Sequence, residues 1–179
     1  ISYKKMSSYK NPEYLDCIFL NLGGFQFLEK YKNNFIRDSI LLIKYEDLVS
    51  HPNTKLKEIC NFLNIKFSNK LLNFNNYLEL DGTKWKPNTS FNRKIKTFSK
   101  KPIGRWKKNI LNEDLFLSEL VLNKFLKKYN YNLSNTSFSE NIFKKTFNKI
   151  SKSKNLTKRF EDWIIAGNGQ DEFMYRDWN

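Results

Sequence analysis

The chain has 179 residues, with 32 Lys or Arg against 18 Asp or Glu and a formal charge of +14. This is one domain's worth of chain, enough for a sizeable core. No apolar run approaches the ~18 residues that a helix needs to cross a bilayer, which excludes a helical membrane span from the sequence. The charge admits two readings. A basic surface holds polyanions, whether nucleic acid, anionic lipid or a phosphorylated or sulfated small molecule. Alternatively the composition is an A/T-rich codon bias, since only five basic residues are Arg and Ala occurs once, at Ala166. The chain opens on Ile1 without an initiator methionine and is read as a piece of something longer.

In chain order, Asn11-Pro12 reads as a helix start, with Pro at the first helical position. Leu15, Ile18, Phe19, Leu22, Phe25 and Leu28 then supply an apolar face as far as about Tyr31. Gly23-Gly24 is a soft point in it, not a phosphate loop, because no strand precedes it and no Lys-Ser/Thr follows. Ile40–Ile43 is short, apolar and continuous, which predicts a strand over 39–44 buried on both faces of a parallel sheet. Tyr45, Glu46 and Asp47 would occupy the loop at its carboxyl end, where open α/β sheets bind ligands. A helix at about 53–63 follows, with Leu56, Ile59, Cys60 and Leu63 at helical spacing and Asn64 as its left-handed stop. Cys17 and Cys60 fall on apolar helical faces. Buried free thiols fit them better than a disulfide or a metal site and agree with a reducing, cytoplasmic setting.

A short helix is expected over Ser68–Phe74, and 79–104 has little periodicity. A stretch of that length without regular structure is functional or disordered. Asn112 reads as the cap of a long helix, with Glu113 and Asp114 in its first turn, Lys127 and Lys128 in its last and Asn130 past its end. From Ser134 to Lys158 the chain is basic, with a weaker helical pattern at Phe143, Phe147 and Ile150. The final segment, from Phe160, is aromatic and acidic and reads as a tail packed on the body. The organisation expected is a domain over 1–133 and a basic helical extension with tail over 134–179. His51 is the only histidine; beside Pro52 at a helix start it fits a surface or capping role better than that of a general base.

The order of these signals resembles one family. "KYEDL" at the end of an apolar strand, a turn with Pro and a helix closing "CNFLNI" are similar to the Tyr-Glu-Asp-Leu segment of sulfotransferases that use 3′-phosphoadenosine 5′-phosphosulfate. "NTSF" at Asn88–Phe91 resembles the family's Asn-Ser-Ser-Phe segment. "IGRWKKNI" at Ile103–Ile110 resembles its Val-Gly-Arg-Trp segment, and "YNY" at Tyr129–Tyr131 its Leu-Gly-Tyr helix end. Together these cover about residues 35–131. The tail is similar to the ends of some bacterial members.

The resemblance implies a P-loop-like three-layer α/β/α fold, of which this chain is a mostly helical C-terminal part with at least one core parallel strand. It implies transfer of a sulfuryl group from that donor to a hydroxyl or amine acceptor, be it carbohydrate, small alcohol or protein, with no metal. In the family the phosphate-binding loop and the catalytic base lie in the earlier half, so no catalytic residue is assigned here. Tyr45 would contact the adenine, or else simply pack at the strand end. Ser90 would donate to the cofactor phosphates. Arg105, between Gly104 and the loop anchor Trp106, would bind phosphate or sulfate oxygens in pairs. Lys100 and Lys101 stand where cytosolic relatives carry an Arg-Lys-Gly run for the 3′-phosphate, here replaced by Ser99-Lys100-Lys101. Glu46 and Asp47 would brace the loop by capping or ion pairing. Two rivals remain open: a basic nucleic-acid-binding module, against which most aromatics fall at helical spacing, and an inactive sulfotransferase remnant.

Overall fold

The computed structural model describes residues 12–31, 37–85, 97–134 and 139–166, which fall into two compact units, 1–34 with 106–179 and 35–105. In the first unit a 3-10 turn, Pro12–Leu15, opens helix α1, Asp16–Tyr31. Pro12 stands first in the turn, where its missing N–H costs nothing. The apolar face predicted for α1 is the one buried. Leu15, Ile18, Phe19 and Leu22 join one cluster with Leu117, Val121 and Phe125 of the long helix Asn112–Lys128. Phe25 stacks on Phe125 and Tyr129, with ring centroids 5.1 and 5.4 Å apart.

The basic region after 134 closes the same core. Helices Glu140–Ile150 and Lys154–Ile165 bring in Ile150, Leu156, Phe160 and Trp163. Phe160 and Trp163, read from sequence as the start of a tail, are thus core residues of a helix; residues 167–179 lie outside the described residues. Ser153 caps that last helix by accepting from the N–H of Leu156 and donates to Glu13.

In the second unit, helices Tyr45–Ser50 and Pro52–Phe62 meet at His51. In chain order the helices are therefore α1, α2 (Tyr45–Ser50), α3 (Pro52–Phe62), α4 (Asn112–Lys128), α5 (Glu140–Ile150) and α6 (Lys154–Ile165). Two of them end in the same way. Asn64 and Asn130 take φ of 53° and 54°, and the N–H groups of Ile65 and Tyr131 reach back to the carbonyls of Cys60 and Leu126. Both ends match the Schellman pattern, in which Asn accepts the left-handed position more readily than other side-chain-bearing residues.

Three local expectations are corrected. The strand over 39–44 is absent: Arg37–Ser39 is a 3-10 turn, and Ile40–Lys44 runs outside any ladder. A strand exists only through a neighbour, and among the described residues the single β contact is an isolated bridge between Leu78 and Lys84. Nor is the segment buried on both faces, since Leu42 is 49% exposed. Ser39–Ile43 instead lines an open groove of ≈ 590 Å³ with Ile59, Phe62 and Leu63. The described residues are therefore mostly helical with no strand, and the core parallel strand of the expected α/β fold is not among them. Second, in place of one helix over Ser68–Phe74 the chain makes two 3-10 turns, Asn69–Leu72 and Phe74–Asn76, started by the side chains of Ser68 and Asn73. Third, Asn112 is the first residue of α4 and Leu111 its N-cap, with no side-chain cap.

Candidate functional site

No acidic residue falls between Asp81 and Glu113, a stretch with ten Lys or Arg. Its described second half, from Thr97, is a run of tight turns. Ser99 Oγ accepts from the Lys101 N–H at 3.3 Å, the Lys100 carbonyl from Ile103 at 2.9 Å, and the Pro102 carbonyl from Arg105 at 3.2 Å. Gly104 has φ +67°, a conformation open to Gly and strained for other residues, and it turns the chain into the 3-10 turn Arg105–Lys108. Lys100, Lys101 and Arg105 are exposed on these turns. Trp106, which belongs to the first unit, is 40% exposed, with the Lys107 Nζ 5.8 Å from its ring centre. Cations on short hydrogen-bonded turns, with no carboxylate in the run, suit holding an anion rather than moving a proton.

Tyr45 does not end a strand. It is the first residue of α2, 49% exposed, in the same unit as Lys100, Lys101 and Arg105. Glu46 and Asp47 lie in the first turn of that helix, where negative charge complements the helix dipole. The Asp47 carbonyl accepts from the N–H of His51 at 2.8 Å. His51 itself is the exposed N-cap of α3 and makes no side-chain cap. Ser90 lies outside the described residues. Cys60 is buried and Cys17 half-buried; both are free, and burial pushes the Cys17 thiol pKa up. Among the described residues no group of His, Cys, Asp and Glu could hold a metal ion, and no helix is long and apolar enough to cross a membrane.

The structure also assembles two constellations that the sequence did not announce. Tyr14, Asp114 and Lys149 meet inside the first unit from positions 100 and 35 residues apart. The Tyr14 hydroxyl donates to both Asp114 oxygens at 3.0 and 2.8 Å, and Lys149 donates to Asp114 Oδ1 at 2.5 Å and to Glu113 at 3.4 Å. Burial, the larger cause, pushes the Tyr14 phenol pKa to about 12. In the second unit Phe74, Tyr77, Trp85 and Phe98 form an aromatic cluster. Many of the other aromatics, among them Phe19, Phe116, Phe125, Phe160 and Trp163, are buried and offer no face for stacking a base.

A family model described as "Sulfotransferase domain" matches residues 25–137, more than half of the chain. Neither a curated protein nor a solved structure gives a match.

Proposed function

The chain belongs to the sulfotransferase domain family, and from that premise we propose that it serves sulfuryl transfer from 3′-phosphoadenosine 5′-phosphosulfate to a hydroxyl or amine acceptor. In such a transfer the acceptor oxygen or nitrogen bonds to sulfur while the bond from sulfur to the bridging phosphate oxygen breaks. The electron pair leaves with the 5′-phosphate, and the acceptor gives up its proton. By analogy with phosphoryl transfer, the protein's share is positioning and offsetting charge.

The observation that carries this reading is the run of turns at 97–105, which presents Lys100, Lys101 and Arg105 with no acidic residue between Asp81 and Glu113. Those cations would hold donor phosphates, Arg105 as the forked donor. The ring of Tyr45 would lie against the adenine. On the resemblance alone, Ser90 would add a hydrogen bond and Trp106 would anchor the turn. We assign no catalytic base to this chain. The free thiols support a cytoplasmic setting.

Titration calorimetry with 3′-phosphoadenosine 5′-phosphate and with AMP tests the reading. The bisphosphate is expected to bind at least tenfold more tightly, since each charge-assisted bond to the second phosphate contributes roughly 1.5–3 kcal/mol. Arg105→Ala should remove about tenfold of that affinity. Equal binding of the two nucleotides, or an unaffected Arg105→Ala, would overturn it.

A further inference from the structure

We propose that the aromatic cluster centred on Phe74 is a positioning device for the cations of the nucleotide site, acting through Phe98. The inference rests on the function proposed above. Phe74 lies in the 3-10 turn Phe74–Asn76, and three rings close on it. Phe98 meets it at 4.9 Å and 65°, Trp85 at 5.9 Å and 72°, and Tyr77 at 5.2 Å. Tyr77 and Trp85 also meet each other edge-on at 5.8 Å. Polar bonds fix the frame around them. The Tyr77 hydroxyl donates to the Leu71 carbonyl at 2.6 Å, and the Trp85 N–H donates to the Tyr77 carbonyl at 3.1 Å.

Edge-to-face ring pairs prefer a narrow set of angles and separations, so the cluster locates Phe98 in direction as well as distance. From Phe98 to Arg105 there is little freedom left. Ser99 holds the N–H of Lys101, Pro102 has a fixed φ, and successive turn bonds join Lys100 to Ile103 and Pro102 to Arg105. Where Phe98 sits therefore decides where Lys100, Lys101 and Arg105 present their charge. The cluster's half-buried rings contribute little to a core: the apolar side chains buried among the described residues of this unit are Val49 and Cys60, on α2 and α3. Four aromatics placed there do more to orient a loop than to fill an interior.

The test is a double-mutant cycle read by calorimetric affinity for 3′-phosphoadenosine 5′-phosphate on the full chain. Phe98→Leu keeps most of the apolar volume and loses the ring geometry, and it should weaken binding about tenfold, whereas Phe98→Tyr, which keeps the ring, should restore it. In a Lys100→Ala/Lys101→Ala/Arg105→Ala background, Phe98→Leu should have no further effect, because it acts through those cations. A merely structural role would give additive losses in the cycle and would overturn the proposal. Trp85→Leu supplies a second arm that leaves Phe98 in place, and the same coupled loss is expected if Phe98→Leu does not fold. Failure of the wild-type chain to bind the bisphosphate would instead remove the sulfotransferase reading, and this inference with it. Wild-type binding with additive cycles would remove the inference alone.

Discussion

Lys149 holds a position that few lysines take: it is half-buried, its Nζ lies 5.4 Å from the Tyr14 ring centre, and it donates to Asp114, whose own exposure is 4%. Removing such a cation would leave a carboxylate in a poorly hydrated place, which is the expensive half of a buried ion pair. The neighbouring phenol gives a cleaner test. Burial first, and Asp114 after it, push the Tyr14 pKa to about 12, although Lys149 pulls the other way. Between pH 10 and 12 the folded chain therefore keeps a proton that the unfolded chain has lost. Stability from this group is complete below pH 10 and is lost as pH rises through about 12. The Lys149 pKa is raised as well: burial pulls it down, but hydrogen bonds to Asp114 and Tyr14 outweigh burial, so it works in the same direction. Urea unfolding at pH 8, 10 and 11.5 should show stability falling across that range, and Tyr14→Phe should lessen the fall without abolishing it. An identical fall in the variant would show that the phenol is not the titrating group.

At the scale of elements, helices were legible where periodicity and a stop signal agreed. The apolar face of α1 and its end at Tyr31 follow from the spacing of Leu15 to Leu28, and Asn64 and Asn130 take the left-handed positions expected of them. That Ile40–Ile43 forms no strand among the described residues was not legible, because an apolar run encodes a tendency to burial but not a partner, and pairing is a property of two segments. Asn112 misled for a smaller reason: Leu111, with extended φ and ψ, takes the cap position, so the helix starts one residue earlier than a cap at Asn112 would place it. The candidate site was half legible. The "IGRWKKNI" segment pointed to Arg105, but contacts such as Phe74 with Phe98 lie 24 residues apart in an aperiodic stretch and leave no pattern to read. Gly23 and Gly24 are a soft point in α1 by helix propensity, and their surroundings leave room for a side chain. Both are exposed, and a Cβ added at either meets nothing within 4 Å. Gly24→Ala should therefore stabilise the chain by about 0.5–1 kcal/mol through helix propensity and a less free unfolded state. A thermal melt that moves down instead of up would mean that α1 needs the glycine for a contact not seen here.

For the whole molecule, the two units differ in how much apolar surface each encloses. In the first, twelve side chains from the turn Pro12–Leu15 and from helices α1, α4, α5 and α6 form one cluster among the described residues, with Leu117 and Leu156 at 0% exposure. In the second, the apolar side chains buried among the described residues are Val49 and Cys60, while Leu42, Phe62, Leu63, Ile65, Leu78 and Leu80 stay open to solvent. Each fully buried large apolar side chain contributes roughly 1.5–3 kcal/mol, so the free energies of opening should not be equal. Amide hydrogen exchange should find its slowest protons on α4, around Leu117, Val121 and Phe125, and much faster exchange along α2 and α3. Denaturant should abolish protection in α3 before it reaches α4. The same asymmetry bears on the proposed function, because Tyr45, Lys100, Lys101 and Arg105 all belong to the unit with less buried apolar surface among its described residues. A ligand that binds only the folded form stabilises it by mass action. Adding 3′-phosphoadenosine 5′-phosphate should therefore slow exchange in α2 and in the turns at 97–105 while leaving α4 unchanged. Equal protection in both units without ligand would show that the second is held by more than its visible burial, and a ligand effect confined to α4 would place the nucleotide in the wrong unit for the site argued here.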